Sequence, residues 1–390
     1  MKKTLWIIAL IAVVNALGYG IIIPVLYSYS RQFGLTDFQN GMLFSIFSIG
    51  QFLATPLIGR LSDAYGRRPV LLASVFGTAA SFFIMAFAPN AIFLFIARLL
   101  DGITAGNIPV AAAVISDTTD PKNRAKGFGI IGASFGFGFT FGPAISAFSL
   151  RWGTAAPFVI AGSIALIACV LIWFLLPETN THKSAMVSRH LFDFRKLFSA
   201  LFDPAIGKTL LVSFLVVFAF SIYIYAFQPF AVQLMHMSAQ EISLIFTGIG
   251  VVGLISQVAV IPRVVKRFGE RRVLVGALSV TAVIYMWLFG IRSPSLFMAA
   301  IFIQAFANGF PTPILQSLLS KEADDRSQGA IMGINMSYQS IGQIFGPIVG
   351  GVLATITIPL PLVAASATIM IAIVLSFQML HKHLRQQPLV

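Results

Sequence analysis

Long apolar runs without charge, separated by short polar connections, dominate the sequence. The longest extends from Ser327 to His381 without an Asp, Glu, Lys or Arg, and TITIPLP at 355–361 supplies a turn that divides it. A helix of about 20 apolar residues crosses a bilayer. The sequence therefore predicts an all-α membrane protein with twelve spanning helices, at residues 4–27, 41–60, 69–88, 91–115, 127–149, 154–176, 209–233, 242–262, 273–290, 294–319, 328–354 and 358–380.

The composition excludes other protein classes. Hydrophobic residues make up 57% of the chain and charged residues 10%, whereas about 25% of an average soluble domain is charged. The net charge of +13 is not gathered into a basic stripe on a soluble domain, so nucleic acid is not an expected partner. The single cysteine, Cys169, excludes a disulfide framework.

The longest polar connection divides the chain into two halves. We predict a six-helix bundle at residues 1–176, a cytoplasmic linker at 177–208 and a second six-helix bundle at 209–390. Within the linker, apolar residues recur at helical spacing among Arg and Lys, which is typical of a helix on the membrane surface: Leu191, Phe194, Phe198 and Leu201.

The distribution of basic residues predicts the orientation. Of the 26 Lys and Arg residues, 22 fall on the side of the two termini, whereas the other side carries only Arg31, Arg151 and Arg292. The positive-inside rule then places both termini in the cytoplasm of a multi-pass cell-membrane protein.

Two segments of the first half recur in the second. GRLSDAYGRRPVLL at 59–72 aligns with PRVVKRFGERRVLV at 262–275, and GFTFGP at 138–143 aligns with GQIFGP at 342–347. Two tandem six-helix repeats are typical of transporters whose substrate site lies between the repeats, near the membrane midplane.

These segments resemble those of the major facilitator superfamily. The stretch at 59–72 resembles its G-x-L-x-D-x-x-G-R-[RK] signature between helices 2 and 3. Three further stretches resemble helix 1, 4 and 5 patterns of the drug:proton antiporter group, which includes tetracycline and fluoroquinolone efflux pumps: NALGYGIIIPVL at 15–26, RLLDGITAG at 98–106 and GIIGASFGFGFTFGPAISA at 129–147. The resemblance covers the whole chain and implies the twelve-helix major facilitator fold and transport by alternating access.

The resemblance implies a cytoplasmic latch around the first signature. Asp63 would meet the N-terminal end of helix 11 near Ser327 and Gln328, where free N–H groups and the helix dipole favour an anion, and Asp117 would hold Arg67. The signature can also be a tight turn with positive-inside anchors. Lys266 replaces Asp63 in the second copy, so there we expect the topology signal without the latch. The latch residues are Gly59, Asp63, Gly66, Arg67, Arg68 and Asp117.

The glycines of helix 5 predict close helix packing. Gly138 and Gly142 are one turn apart, a spacing that lets two helices approach, and Pro143 can bend the helix. Gly346 and Pro347 repeat the pattern in helix 11. The resemblance links the helix 5 pattern to exporters, although Ser146 and Ala147 stand where two glycines are usual.

Only Arg98 and Asp101 are ionisable residues within a span. They are three residues apart on one helix, so their side chains can pair. Each charge costs about 2.5–3.5 kcal/mol to insert, which marks such residues as candidates for proton coupling. The pair can also be self-neutralising and purely structural. Related pumps usually carry an acid where this chain has Asn15, and some carry one at Asn308.

Polar and aromatic residues of helices 1, 4, 7, 10 and 11 outline a mostly apolar cavity for amphipathic organic molecules. Each can equally form a hydrogen bond between helices. The candidates are Asn15, Tyr19, Asn107, Tyr223, Tyr225, Gln228, Asn308, Asn335, Tyr338 and Gln339.

Enzymatic functions lack the necessary motifs. The sequence has no phosphate-binding loop, no nucleophile with its base and no metal-ligand motif, so we predict no enzyme, no cofactor and no metal. The expected function is secondary active transport, as a proton-coupled efflux pump of hydrophobic or amphipathic small molecules such as antibiotics, with small-molecule substrate, protons and the lipid bilayer as partners of a monomer. A facilitator or importer of a neutral solute without proton coupling, and a lipid translocase, are the alternatives.

Overall fold

The computed structural model describes residues 2–180, 194–322 and 328–386, and these ranges contain helices but no strand. Seven α-helices precede residue 181: α1 Lys2–Arg31, α2 Asp37–Tyr65, α3 Arg67–Ala86, α4 Ala91–Thr104, α5 Ile108–Thr118, α6 Pro121–Ser149 and α7 Ala156–Leu175. Nine follow: α8 Phe194–Leu201, α9 Gly207–Pro229, α10 Ala239–Ile255, α11 Ile261–Phe268, α12 Glu270–Gly290, α13 Pro294–Asn308, α14 Pro311–Glu322, α15 Gln328–Ile356 and α16 Leu360–Gln386.

Twelve helical spans within the described residues are long and apolar enough to cross a membrane. The prediction of an all-α membrane protein with twelve spans is therefore confirmed. Several helices extend past the predicted apolar spans. For example, α2 ends at Tyr65, whereas the predicted span ends at residue 60. The polar residues at such ends continue the backbone hydrogen bonding beyond the apolar layer.

Span 4 is interrupted, which the sequence analysis did not predict. A short 3₁₀ turn, Ala105–Asn107, separates α4 from α5, and Pro109 occupies the first turn of α5. Proline has no N–H, so the carbonyl of Ala105 loses its usual donor four residues later. The Gln51 side chain replaces it, with Nε2 3.3 Å from the Ala105 oxygen. The interruption is thus stabilised by a polar side chain of α2.

Three other spans are also composite. A π-helical segment, Phe230–Leu234, continues α9, and a second, Ser256–Val260, joins α10 to α11. In span 10, Gly309 and Phe310 separate α13 from α14, which starts at Pro311. Residues with unusual backbone hydrogen bonding therefore occur inside spans 4, 7, 8 and 10.

The chain forms two compact units. The first comprises Met1–Thr36, Ile46–Leu191 and Met237–Gly250, and the second comprises Asp37–Ser45, Phe192–His236 and Val251–Val390. The start of α2 thus groups with the second unit and most of α10 with the first. The boundaries of the two predicted bundles and their linker stay a prediction. Within the predicted linker, α8 includes Phe198 and Leu201, whereas Leu191 lies outside the described residues.

Glycines of α6 lie against α1 in the first unit. A Cβ atom on Gly138 would stand 2.6 Å from the backbone nitrogen of Leu17, and one on Gly142 would stand 2.9 Å from the carbonyl carbon of Gly20. The ring of Pro143 also lies beside Gly20. These positions allow the two helix backbones to approach closely.

The second unit contains a similar approach between α15 and α9. A Cβ atom on Gly346 would stand 3.0 Å from the carbonyl oxygen of Phe218 and 2.5 Å from the Cβ of Ser221. Pro347 follows inside α15. The two copies of the repeated F-G-P segment thus occupy comparable packing positions in their own units.

Gly138→Ala is expected to destabilise the protein by about 1–3 kcal/mol, because its methyl group overlaps the α1 backbone. The matched control is Gly132→Ala in the same helix, where a Cβ meets nothing within 4 Å. Unfolding of both purified variants in detergent, followed by circular dichroism, measures the effect. Equal stabilities would show that α1 and α6 do not need the close approach.

Candidate functional site

The two ionisable residues of span 4 form a buried ion pair. Arg98 and Asp101 lie one turn apart on α4, and Nη1 of Arg98 donates to Oδ2 of Asp101 over 2.6 Å. Their side chains are 2% and 8% exposed. The pair thus brings a carboxylate and its counter-charge into the apolar part of the first unit.

Aromatic side chains surround this pair. The guanidinium carbon of Arg98 lies 4.3 Å from the ring centroid of Phe47 on α2, a cation–π distance. Gly102 allows this contact, because a Cβ there would collide with the Phe47 carbonyl oxygen. Tyr19 packs against both Phe47 and Phe139, each with ring centroids 5.7 Å apart. Tyr19 is also within electrostatic range of both charges.

One donor of Arg98 remains available. Its Nε is buried and forms no hydrogen bond with any residue in the described ranges. A buried N–H without an acceptor is unfavourable, and removal of Asp101 would leave the Arg98 charge without this partner. The guanidinium can therefore accept a further polar partner.

Two candidate cavity residues bind each other in the first unit. Nδ2 of Asn15 on α1 donates to Oδ1 of Asn107 over 2.7 Å. Asn107 is the last residue of the 3₁₀ turn that interrupts span 4. A neutral amide pair thus joins α1 to the interrupted part of span 4.

The candidates of α9 lie among aromatic rings and helix contacts of the second unit. Tyr223 stacks on Tyr285 with ring centroids 5.0 Å apart. The Tyr225 hydroxyl donates to the carbonyl oxygen of Asp37 over 2.5 Å, and Gln228 is fully buried. These side chains take part in packing between helices of this unit.

The remaining cavity candidates differ in their polar partners. The Tyr338 hydroxyl donates to a backbone carbonyl of α8 over 2.7 Å, and Nε2 of Gln339 donates to the Ser213 hydroxyl over 3.2 Å. Asn335 is buried, and its Oδ1 accepts no hydrogen bond from the described residues. Asn308 ends α13 and is half-buried. Of these three residues with described contacts or burial in α15, only Asn335 therefore keeps a buried acceptor that can bind a polar ligand.

The signature residues form a network at the α2–α3 turn. Nη1 of Arg67 donates to Oδ1 of Asp63 over 2.5 Å and to the Ser62 hydroxyl over 2.7 Å. Its Nε lies 3.3 Å from Oδ2 of Asp117 at the end of α5. The Ser62 hydroxyl in turn donates to the Gly59 carbonyl. Arg67 thus joins both acids that the sequence analysis assigned to the latch.

Glu178, which follows α7, completes this network and was missed by the sequence analysis. Its carboxylate accepts the backbone N–H groups of Arg67 over 2.8 Å and Arg68 over 3.1 Å, at the start of α3. Gly66 precedes them with a φ of 114°, which favours glycine, and a Cβ there would collide with this carboxylate. Glu178 therefore caps α3 from a distant part of the chain.

Further contacts join the α2–α3 turn to the end of α7 and the residues that follow it. Nδ2 of Asn180 donates to the backbone carbonyls of Ser62 and Asp63, and the Arg68 guanidinium donates to the carbonyl of Trp173 while lying over its ring. The predicted contact between Asp63 and the start of helix 11 stays a prediction. Gln328 is the first residue of α15, and Ser327 lies outside the described residues.

The environment of Glu178 favours its ionised form. Partial burial, the largest single effect, opposes ionisation, but backbone N–H groups of Asn180, Arg67, Arg68 and Thr179 together lower the pKa of this carboxyl below its ordinary 4.5. The carboxylate therefore stabilises the fold above pH 4.5, and this contribution is lost as the pH falls through the lowered pKa.

The second copy of the signature keeps the turn but changes the charges. Gly269, the counterpart of Gly66, has a φ of 81°. Glu270 pairs with Lys321 over 2.7 Å, and Arg271 pairs with Glu322 over 3.2 Å at the end of α14. This copy therefore carries ion pairs in addition to the topology signal that the sequence analysis expected there.

Comparison with known proteins places the chain in a family. The sequence model of the Major Facilitator Superfamily matches residues 8–238 and 209–388. The chain belongs to the major facilitator superfamily. The predicted fold and family resemblance are confirmed, and the protein is a secondary transporter in a membrane rather than an enzyme.

Similar proteins include resistance transporters. The transporter is 32% identical to the class C tetracycline resistance protein of Escherichia coli over 345 residues, which cover 86% of this chain and 85% of the relative. It is 29% identical to multidrug resistance protein 2 of Bacillus subtilis over 380 residues, covering 95% and 94%. The crystal structure of the human organic anion transporter MFSD10 has a TM-score of 0.72 at 24% identity, covering 96% of this chain and 99% of that one.

Glu178→Gln is expected to lower the melting temperature of the purified transporter at neutral pH, because the neutral amide caps α3 less well than the carboxylate. The difference from the parent should begin to narrow below about pH 4.5 and disappear once the pH has fallen through the lowered pKa of the Glu178 carboxyl. Thermal unfolding across this pH range measures both effects. Asp120→Asn, which removes an exposed acid that does not cap α6 through its side chain, is the control. A constant difference at every pH would contradict the role of the charge.

Proposed function

We propose that the transporter is a proton-coupled exporter of hydrophobic or amphipathic organic molecules in the plasma membrane, with both termini in the cytoplasm. The buried Arg98–Asp101 pair is the observation that carries the proposal. Inserting a carboxylate into the apolar part of a span costs free energy, so such a residue is usually paired or functional. Asp101 is paired with Arg98 and can also bind a proton. The relatives named as tetracycline and multidrug resistance proteins support the substrate class.

Proton binding would change the partners of Arg98. A proton on Asp101 neutralises the carboxylate and weakens its bond to Nη1, so the guanidinium needs another partner. The Phe47 ring already lies against the cation, and an attraction of this kind contributes about 0.5–2 kcal/mol. In the paired form Nη1 holds Asp101, and Nε remains a donor for a substrate carbonyl or hydroxyl. Proton binding and substrate binding would thus act on the same side chain.

In this mechanism, deprotonated Asp101 holds Arg98, and protonated Asp101 releases it. Substrate arriving from the cytoplasm would favour the deprotonated, paired form, and the proton would leave to the cytoplasm. Water outside the cell would return a proton in the opposite conformation. Tyr19, Asn15 and Asn107 are the proposed polar substrate contacts in the first unit, and Asn308 and Asn335 in the second.

Facilitated transport of a neutral solute, without coupling to proton movement, is a second candidate function. The hydrogen-bonded amides of Asn15 and Asn107 favour it, because they provide no titratable group where related pumps usually carry one. In this case Asp101 would only neutralise Arg98. Accumulation of substrate against its gradient distinguishes the two functions.

Asp101→Asn is expected to abolish accumulation driven by a pH gradient and to leave exchange at equal pH, because the amide binds no proton in this range. Proteoliposomes loaded with a panel of hydrophobic compounds, beginning with tetracycline, measure both activities. Asp120→Asn is the control for loss of an acid. Full accumulation by Asp101→Asn would refute proton coupling through this residue.

The double variant Arg98→Gln, Asp101→Asn separates coupling from folding. It removes the uncompensated buried charge that the single variant leaves behind. If both variants fold, exchange but do not accumulate, coupling through Asp101 is supported. If the double variant restores accumulation, the single variant failed because of its unpaired Arg98, and the proposal is overturned.

We also propose that the network around Arg67 stabilises one conformation of the transport cycle. Asp63→Asn is expected to slow transport about twofold to fivefold, since an exposed ion pair contributes about 0.5–1 kcal/mol, without weakening substrate binding. Lys266→Gln, at the corresponding position of the second copy, is the matched control. Initial rates and equilibrium binding are compared. An equal loss of binding and transport would contradict a role limited to conformational change.

A further inference from the structure

An apolar groove runs along one stripe of α12 in the second unit. It has a volume of about 340 Å³. Residues four apart on α12 form its floor, and side chains of α11 and of span 10 form its walls. The lining residues are Val264, Phe268, Arg272, Val273, Gly276, Ala277, Val280, Phe306, Ala307 and Phe310.

The groove has one charged end. Arg272 lies two residues after the start of α12, next to the turn at Gly269, whereas Val280 lies eight residues further along the helix. At 1.5 Å per residue, the groove extends about 12 Å from Arg272. This length is most of the roughly 15 Å of hydrocarbon in one leaflet. The groove is thus apolar over about the length of one acyl chain, and its charged end corresponds to the position of a lipid head group.

Within the described residues, the acids near this end pair with other bases. Glu270 pairs with Lys321, and Glu322 pairs with Arg271. Arg272 is exposed and forms no ion pair within the described residues. The Arg272 end of the groove therefore attracts anions.

The groove is open along its side. Phe268, Val280 and Phe306 each expose about 40–50% of their surface. A Cβ atom on Gly276 meets nothing within 4 Å, so the middle of the floor also faces open space. A molecule can enter from the surrounding bilayer without passing through the protein.

We propose that this groove binds an anionic phospholipid, with one acyl chain along α12 and the phosphate at Arg272. Anionic head groups bind at basic pockets between membrane helices on the cytoplasmic side. The leaflet follows from the predicted orientation, but binding itself depends neither on that orientation nor on proton coupling. The lipid is bound here as a structural ligand rather than transported.

Native mass spectrometry of the purified, delipidated transporter tests the head-group contact. Phosphatidylglycerol and phosphatidylcholine of equal chain length are added separately. We expect Arg272→Gln to reduce phosphatidylglycerol binding about fivefold, since one basic residue contributes about that much to anionic lipid binding. Phosphatidylcholine binding should fall less, because the choline cation offsets the charge of its phosphate. Arg263→Gln, which removes the same charge from α11 but does not line the groove, is the control. An equal loss in both variants would show diffuse charge attraction and overturn the proposal.

A second pair of variants tests the acyl-chain contact. Gly276→Leu fills the floor of the groove and is expected to reduce binding of both lipids. Gly290→Leu, at the far end of the same helix and also without neighbours within 4 Å of its Cβ, should bind like the parent. Unchanged binding by Gly276→Leu would overturn the acyl-chain site. The Arg272→Gln result stands by itself if Gly276→Leu does not fold.

Photolabelling locates the bound lipid. Phosphatidylglycerol with a photoactivatable group in its acyl chain should label peptides of α12 and α13, and unlabelled phosphatidylglycerol should compete. Labelling spread evenly over all spans would overturn the proposal. So would competition by tetracycline but not by unlabelled lipid, because the groove would then be part of a drug-binding site.

Discussion

The absence of water in a bilayer requires that every backbone N–H and carbonyl group be satisfied within the protein, and the rest of this structure depends on that requirement. It explains why the described residues are helical wherever they cross the apolar layer. It also means that an interruption needs a polar side chain. At Ala105, Gln51 provides that side chain, and the interruption brings Asn107 to Asn15. One missing proline N–H thus accounts for the Gln51 contact at the turn that ends at Asn107.

The same apolar surroundings give the Arg98–Asp101 pair its importance. In water such a pair contributes little, but in the interior its partners cannot be exchanged for solvent. Phe47 and Tyr19 lie on one side of the pair, and Gly102 permits α4 to come close to α2. Small residues and aromatic residues thus act together, since the former allow the approach and the latter surround the charge.

Much of the fold could be predicted from the sequence because hydrophobicity and charge operate over whole spans. Twelve spans, their order and the family follow from long apolar runs and from motifs whose residues are adjacent in sequence. The interruption at Ala105 could in principle have been predicted, since Pro109 removes a known donor.

The tertiary contacts could not be predicted in the same way. Glu178 lies more than a hundred residues from the α3 N-terminus that it caps, and no spacing rule connects the two. Phe47 looks like any apolar residue of α2 until α4 lies beside it. For the cavity candidates the sequence indicated polarity but not partners: the Gln339 and Tyr338 side chains bond to neighbouring helices, whereas the Asn335 oxygen does not.

The turns at Gly66 and Gly269 have a consequence for how the two copies diverged. Both glycines have positive φ values, which a residue without a Cβ adopts without strain, whereas the charged residues around the two turns differ. Selection could therefore exchange acidic for basic side chains at these turns without rebuilding either one. Duplication of a six-helix ancestor would have supplied two identical glycine turns, and the side chains around each turn could then change independently.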